Sequence, residues 1–342
     1  MSELSQRMAT EFRDAPQVVR RQAEALSGPA AELVTRLKRR LPDVVVTCAR
    51  GSSAHAATFG KHLIERHLGI PCSDVAPNIA SVYRQRLRLK DQLFLSISQS
   101  GRSDDLVESA RMAKEAGAIT VALVNDTESP LAKISEIVLP MTAGPEQSVA
   151  ATKTFVASLA ALLRLTAAWK GEAAFAAPLE RLPERLAAAS ELDWSAALGA
   201  LTKATSLLTL GRGPTLAIAR EAALKFKETS DLPAEAFSSA EFMHGPVSLV
   251  ANHYPVMIFA PTDEAGKGLR ELAADIRSKG AAVFLTDHDA AAGSLPALAP
   301  EHPDTDAICL IQSLYGLLVQ LGERRGTNID NPRHLRKVTR TR

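Results

Sequence analysis

The segment VVVTCARG at residues 44–51 returns in altered spelling as SLLTLGRG at residues 206–213, an offset of 162 positions. Each is an apolar or β-branched run ending in Arg-Gly, the pattern of a buried strand entering a tight turn. Pro71 and Pro233 keep the same offset, and LFLSISQS at 93–100 answers to PVMIFAPT at 255–262. Gly117 answers to Gly280, one residue out of register. Landmarks that hold one spacing over such a distance mark an internal duplication. Within the first copy, the apolar runs LFLSIS (93–98), TVALV (120–124) and EIVLP (136–140) alternate with stretches of helical spacing. Apolar strands joined through helices predict a parallel sheet covered on both faces. The chain is therefore expected to be an α/β protein with two like domains. Residues 8–40 carry helical spacing ahead of the first strand, and residues 171–195, rich in Ala, Glu, Leu and Pro, read as a helical connector.

Composition narrows the function. A length of 342 residues suits about two domains. With 40 basic against 38 acidic residues the net charge is +2, so the whole-protein field argues neither for nor against nucleic acid and any anion site must be local; no nucleic-acid partner is expected. Cys48, Cys72 and Cys309 are odd in number, lie in or beside apolar runs and lack ligand spacing; they read as core residues in a reducing compartment. There is no HExxH, HxH or CxxC, so neither a metal nor any other cofactor is expected. The start of the chain lacks an apolar signal core, and its longest apolar stretch, residues 155–169, is broken by Arg164. A soluble cytoplasmic protein without membrane partners is the expectation.

The two copies differ in their loops. After the strand at 93–98 the first copy has Ser98-Gln99-Ser100-Gly101-Arg102-Ser103, with helix expected from Asp104. Hydroxyl and amide side chains around a glycine, between a strand's carboxyl end and a helix's amino end, suit an anion held by backbone N–H groups and the helix dipole. The loop lacks the GxxxxGK[ST] pattern of a nucleotide site, so a monophosphate fits better than a triphosphate. The alternative is that Ser100, Ser103 and Asp104 only cap the helix. The second copy has Ala260-Pro261-Thr262-Asp263-Glu264 there, and its two carboxylates argue against phosphate. Arg50-Gly51-Ser52-Ser53 is a second small-residue turn after the first strand, and the run 146–153 precedes the last helix of the copy.

Candidate catalysts lie in the second copy. Glu221, Lys225 and Glu228, spaced i, i+4, i+7, fall on one stripe of a helix; they form either a solvent-facing row of ion pairs or a catalytic cluster. His244 sits in a turn beside Gly245, open to a ligand. The chain ends DNPRHLRKVTRTR (330–342), which is either a solvated basic terminus or a segment docked through its opening turn and Leu335 so that Lys337 covers a pocket while Arg340 and Arg342 stay in water.

Together ARGSS, SISQSGRSDD, EQSVAATKTF, ALKFKE, AEAFSSAEFMHGP and DNPRHLRK resemble the sugar-isomerase (SIS) domains of the isomerase half of glucosamine-6-phosphate synthase. They resemble the stand-alone type II glucosamine-6-phosphate deaminases more closely still. The likeness runs from about Met8 to Lys337. It implies two tandem SIS domains, each a flavodoxin-like three-layer sandwich, at 30–170 and 196–326, with a helical segment at 1–29, the connector at 171–195 and a closing tail at 327–342. It implies phosphate contacts from Ser98, Gln99, Ser100 and Ser103 with Ser52 and Ser53 nearby, and substrate contacts from Val149 and Ala151. Glu228 would move a proton between C1 and C2, Lys225 would polarise the site, and Lys337 would meet the sugar carbonyl. His244 would assist ring opening, supplied across the interface of a homodimer. Two positions depart from the synthases: Ala151 stands where they usually have serine, and Arg102 where they usually have glutamate.

A synthase also needs a glutaminase domain that begins with a nucleophilic cysteine, whereas residue 2 here is Ser and helix is expected almost at once. The expected reaction is therefore the conversion of glucosamine 6-phosphate to fructose 6-phosphate and ammonia. A deglycase of a glycated amino-acid 6-phosphate and a plain phosphosugar isomerase share the same residues. A non-catalytic sugar-phosphate sensor would need only the first loop.

Overall fold

The computed structural model of the chain describes residues 6–251, 253–289 and 294–337. Its first sheet comprises β1 (Val45–Ala49), β2 (Cys72–Asp74), β3 (Leu93–Ser98), β4 (Ile119–Val124) and β5 (Ile137–Pro140), all parallel, in the order β2-β1-β3-β4-β5. The second comprises β6 (Leu207–Gly211), β7 (Ala234–Ser238), β8 (Pro255–Ile258), β9 (Ala282–Asp287) and β10 (Ser294–Pro296), also parallel, in the order β10-β9-β8-β6-β7. Numbered from its own first strand, the second sheet repeats the first. The strand starts 45, 72 and 93 map onto 207, 234 and 255, each 162 residues on, and 119 maps onto 282, 163 residues on. The repeat seen in the sequence is thus a repeat of topology.

The helices are α1 (Gln6–Arg13), α2 (Ala15–Arg39), α3 (Ser52–Leu68), α4 (Asn78–Ser81), α5 (Asp104–Glu115), α6 (Pro130–Ile134), α7 (Lys153–Lys170), α8 (Ala176–Ser190), α9 (Leu198–Lys203), α10 (Thr215–Ser230), α11 (Ser239–Met243), α12 (Ala265–Ser278) and α13 (Pro303–Arg325). The chain divides into two compact units. One is built on the first sheet and takes in residues 17–146, 153–179 and the tail from Arg336; the other is built on the second sheet and takes in the residues up to Pro16, 147–152 and 180–335.

In the unit of the first sheet, β3 is buried along its whole length, as expected of a central strand covered on both faces. Val46, Phe94, Leu106, Ala110, Ala122 and Leu131 form the core between the sheet and α5 and α6. On α3, Gly60 lets Leu162 of α7 approach closely. Order 2-1-3-4-5 sends the chain one way from β1 and the other way from β3. This leaves a crevice at the carboxyl ends of those two strands, where α/β sheets bind ligands.

The unit of the second sheet is built around α13. Its amino end is capped by His302, whose Nδ1 accepts the amide of Asp304 at 3.3 Å, and its carboxyl end stops at left-handed Gly326. Among the described residues it is the one helix long and apolar enough to span a membrane, yet 89% of its apolar window is buried in the fold. It is a core helix, and the apolar stretch singled out in the sequence is the equally buried α7. All three cysteines are buried, as expected.

Candidate active site

The crevice at β1 and β3 is edged by the predicted anion loop. Ser98 closes β3, and its hydroxyl accepts the amide of Gly101 at 3.1 Å; the hydroxyl of Ser100 accepts the amide of Arg102 at 3.3 Å. Each serine therefore shapes the loop while its own proton stays free to donate. Ser103 is the N-cap residue of α5 but makes no side-chain cap bond, so the capping alternative does not account for its hydroxyl. Gly101 has φ +61°, and a Cβ there would collide with the Ser129 hydroxyl, which caps α6 by accepting the amide of Ala132. Only glycine satisfies both conditions.

Ser52 and Ser53 open α3 directly after β1, on the neighbouring strand of the same sheet edge, and they are half-buried like Gln99, Ser100 and Ser103. Asp105, in the first turn of α5, is fully buried, and Arg50 grips its Oδ2 through Nε at 2.9 Å and through Nη2. That pair neutralises a carboxylate which would otherwise repel an anion at the helix amino end. Arg102 is exposed and pairs with Asp126 at 2.7 Å.

The same unit holds Lys337. Its Nζ lies 2.9 Å from Oε2 of Glu146, whose side chain has no exposed surface. Glu146 also accepts the amide of Thr154 at 3.1 Å and its hydroxyl at 2.7 Å. The expectation that Leu335 docks the tail is not met: Leu335 is 43% exposed. Polar contacts fix the segment instead, since one leucine buries too little surface to hold a chain end. Arg340 and Arg342 lie outside the described residues.

In the other unit the Glu-Lys-Glu stripe of α10 is no solvent-facing row. Lys225 and Glu221 are fully buried, and Lys225 Nζ lies 3.1 Å from Glu221 Oε1 and 2.7 Å from Glu228 Oε2. Burial alone would strip the proton from Lys225; the carboxylates of Glu221 and Glu228, with their hydrogen bonds, outweigh it and raise the pKa above the ordinary lysine range. A cation shared by two carboxylates leaves the cluster net negative. Glu228 keeps 20% of its side chain exposed. It lines a hollow of about 360 Å³ together with Asp231, Arg325, Thr327, Asn328 and Arg333. A carboxylate fixed on one side by a buried ammonium and open on the other is suited to proton transfer.

His244 is the exposed C-cap residue of α11, followed by Gly245 at φ +148°. Val149 and Ala151 are half-buried in this unit, and the amide of Val149 donates to the Asp330 carbonyl at 3.2 Å. In the second-copy loop the Thr262 hydroxyl donates to Asp306 at 2.7 Å, and Arg185 donates to the other oxygen of Asp306 at 2.8 Å. The space there is about 20 Å³, room for about one water.

Sequence reasoning missed Glu11, Asp105 and Asp330 as buried carboxylates. Glu11 carried a signal, because it shares the apolar spacing of Met8, Phe12 and Ala15 on an amphipathic helix.

Two parallel five-stranded sheets of the same strand order, one with a serine-lined loop at its switch point, define a duplicated doubly wound α/β class of protein. The chain belongs to the SIS domain family, whose model matches residues 43–168 and 200–295. It is 34% identical over 359 aligned positions to the glutamine–fructose-6-phosphate aminotransferase (isomerizing) of Pseudomonas putida, covering 96% of this chain and 58% of that protein. The chain thus spans little more than half the length of the curated relatives it matches. Among solved structures, a proposed phosphosugar isomerase from Silicibacter pomeroyi DSS-3 is 45% identical, with TM-score 0.89 over 95% of this chain and 99% of that one. The C-terminal domain of the glucosamine-fructose-6-phosphate aminotransferase of Francisella tularensis is 26% identical, with TM-score 0.83 over 95% and 98% of the two chains.

Proposed function

We propose that the chain is a phosphosugar aldose–ketose isomerase acting on an amino sugar, converting glucosamine 6-phosphate to fructose 6-phosphate and ammonia. The observation that carries this reading is the wholly buried Lys225 ammonium, 2.7 Å from the one carboxylate of its cluster that keeps exposed surface, Glu228. In the open-chain amino aldose the C2 proton is acidic. Glu228 takes it and returns it to C1; water then adds to the resulting ketimine, and ammonia leaves as the ketose forms. A placed base of this kind supplies about 10²–10⁴-fold. Lys225 holds that carboxylate, and Lys337 supplies positive charge at the carbonyl oxygen. Ser98, Gln99, Ser100, Ser103, Ser52 and Ser53 take the phosphate, Val149 and Ala151 line the sugar, and His244 serves ring opening across a homodimer in the cytoplasm.

Two relatives support the reading: the 45% identical structure carries a phosphosugar isomerase assignment, and the 34% identical enzyme is named for an isomerising amino transfer. The test is to incubate the purified chain with glucosamine 6-phosphate and follow ammonia and fructose 6-phosphate in coupled assays. Glucose 6-phosphate and glycated amino-acid 6-phosphates run in parallel. Ketose from glucose 6-phosphate without any deamination would favour the plain isomerase that the 45% identical relative suggests. Turnover of a glycated amino acid alone would favour a deglycase.

A further inference from the structure

Three stretches far apart in the sequence close a ring of hydrogen bonds in the unit of the second sheet. Glu11 on α1 is 8% exposed, and its carboxylate accepts the amides of Gln147 and, at 3.1 Å, Ser148. Asp330 is 4% exposed, and its carboxylate accepts the amides of Arg7 at 3.0 Å and Met8 at 2.8 Å, at the amino end of α1. The amide of Val149 returns to the Asp330 carbonyl at 3.2 Å. Apolar packing backs the ring: Met8 and Phe12 have no exposed surface, and the Phe12 ring lies 6.1 Å from that of Tyr315 on α13.

Removing two carboxylates from water is unfavourable unless donors replace the lost hydration, and here those donors are four backbone amides. Among the described residues neither carboxylate pairs with a cationic side chain, so the charge is spent on fixing main chain. The fixed main chain is not arbitrary: residues 147–149 include the candidate sugar contact Val149, and Asp330 opens the segment that leads to Lys337.

We propose that Glu11 and Asp330 are positioning residues. With α1 as the strut between them, they set the backbone of the 147–149 loop and the root of the C-terminal segment in the shape the sugar phosphate meets. The part that concerns sugar rests on the phosphosugar reading above; the part that concerns the loop does not.

The test combines amide hydrogen exchange with binding. Gln147 is an exposed residue, so its amide is expected to exchange slowly in the native protein only because Glu11 holds it. In Glu11→Gln, which keeps the volume but removes the charge and replaces one of the two acceptor oxygens with an N–H₂, exchange at Gln147 and Ser148 should quicken at least about tenfold. The Kd for fructose 6-phosphate, read by calorimetry, should rise by a similar factor, and KM should rise more than kcat falls. Leu198→Ala, a buried truncation on α9, serves as a control with comparable loss of melting temperature, and it should change neither the two amides nor KM. Unprotected exchange at Gln147 in the native protein overturns the proposal, as does a Glu11→Gln protein with native Kd and KM, or a control that reproduces the same changes. If the native chain binds and turns over no phosphosugar, the functional reading falls on that result alone. The exchange rates, which need no substrate, then still decide the loop.

Discussion

Lys337 reaches Glu146 across 191 residues of sequence, its Nζ 2.9 Å from a carboxylate oxygen with no exposed surface. A chain end is ordinarily too mobile to present a side chain reliably. Here the terminal cation has a fixed address, the buried carboxylate of Glu146.

If Lys337 meets the sugar, Lys337→Ala should lower kcat on glucosamine 6-phosphate at least about 10²-fold, the lower end for a lost electrostatic or acid–base group. Circular dichroism should show a native fold, because Thr154 still donates twice to Glu146. Near-normal turnover in this variant would return the segment to the status of a plain basic terminus.

The α10 cluster separates catalysis from stability. Glu228→Gln should abolish about 10²–10⁴ of the rate while shifting the melting temperature little, since the side chain is partly exposed. Lys225→Met should instead cost about 3–5 kcal/mol, because it leaves Glu221 buried without its ammonium. Urea unfolding and kcat, measured side by side on both variants, check the contrast; equal effects on both quantities would refute it.

Ser100→Ala combined with Ser103→Ala should raise KM for a phosphorylated sugar far more than it lowers stability. Neither hydroxyl packs into the core, and Ser103 makes no cap bond. A sharp fall in melting temperature with unchanged KM would show that these serines serve the helix.

Burial pushes the thiols of Cys48, Cys72 and Cys309 from 9.0 up to about 12. The unfolded chain loses those protons near pH 9 and the folded chain keeps them to about pH 12. Their contribution to stability is thus complete below pH 9 and is lost as pH rises from 9 to 12. Cys309→Ala should flatten that alkaline decline by about 1.4 kcal/mol per pH unit, one proton's worth. Urea titrations at stepped pH measure the slope, and an unchanged slope would contradict the assignment.

The fold was legible because a parallel sheet needs strands apolar on both faces, and because proline and glycine mark turns in both copies at nearly constant spacing. The duplication could be read from Pro71 against Pro233 before any strand was drawn. The α10 stripe was legible as a stripe but not as a buried one: positions i, i+4 and i+7 look the same on a wet face and a dry one, and only packing decides. Leu335 misled because a lone apolar residue near a chain end says nothing of whether a surface waits for it. The Lys337–Glu146 pair and the Glu11 ring were illegible for another reason, since pattern rules reach a few turns and these partners lie more than a hundred residues apart.

The second copy's counterpart of the serine loop meets a carboxylate of the chain itself. Asp306 supplies a negative charge from within the chain beside the second copy's loop, and it holds Arg185, the Thr262 hydroxyl and the Glu301 amide. An internal carboxylate of this kind acts as a tethered competitor present at every moment, so free anions face it at a concentration they never match. Asp306→Ala would leave the Thr262 hydroxyl and the Glu301 amide without this acceptor, so the polarity of the second copy's loop is set by a residue far along the chain rather than by the loop itself.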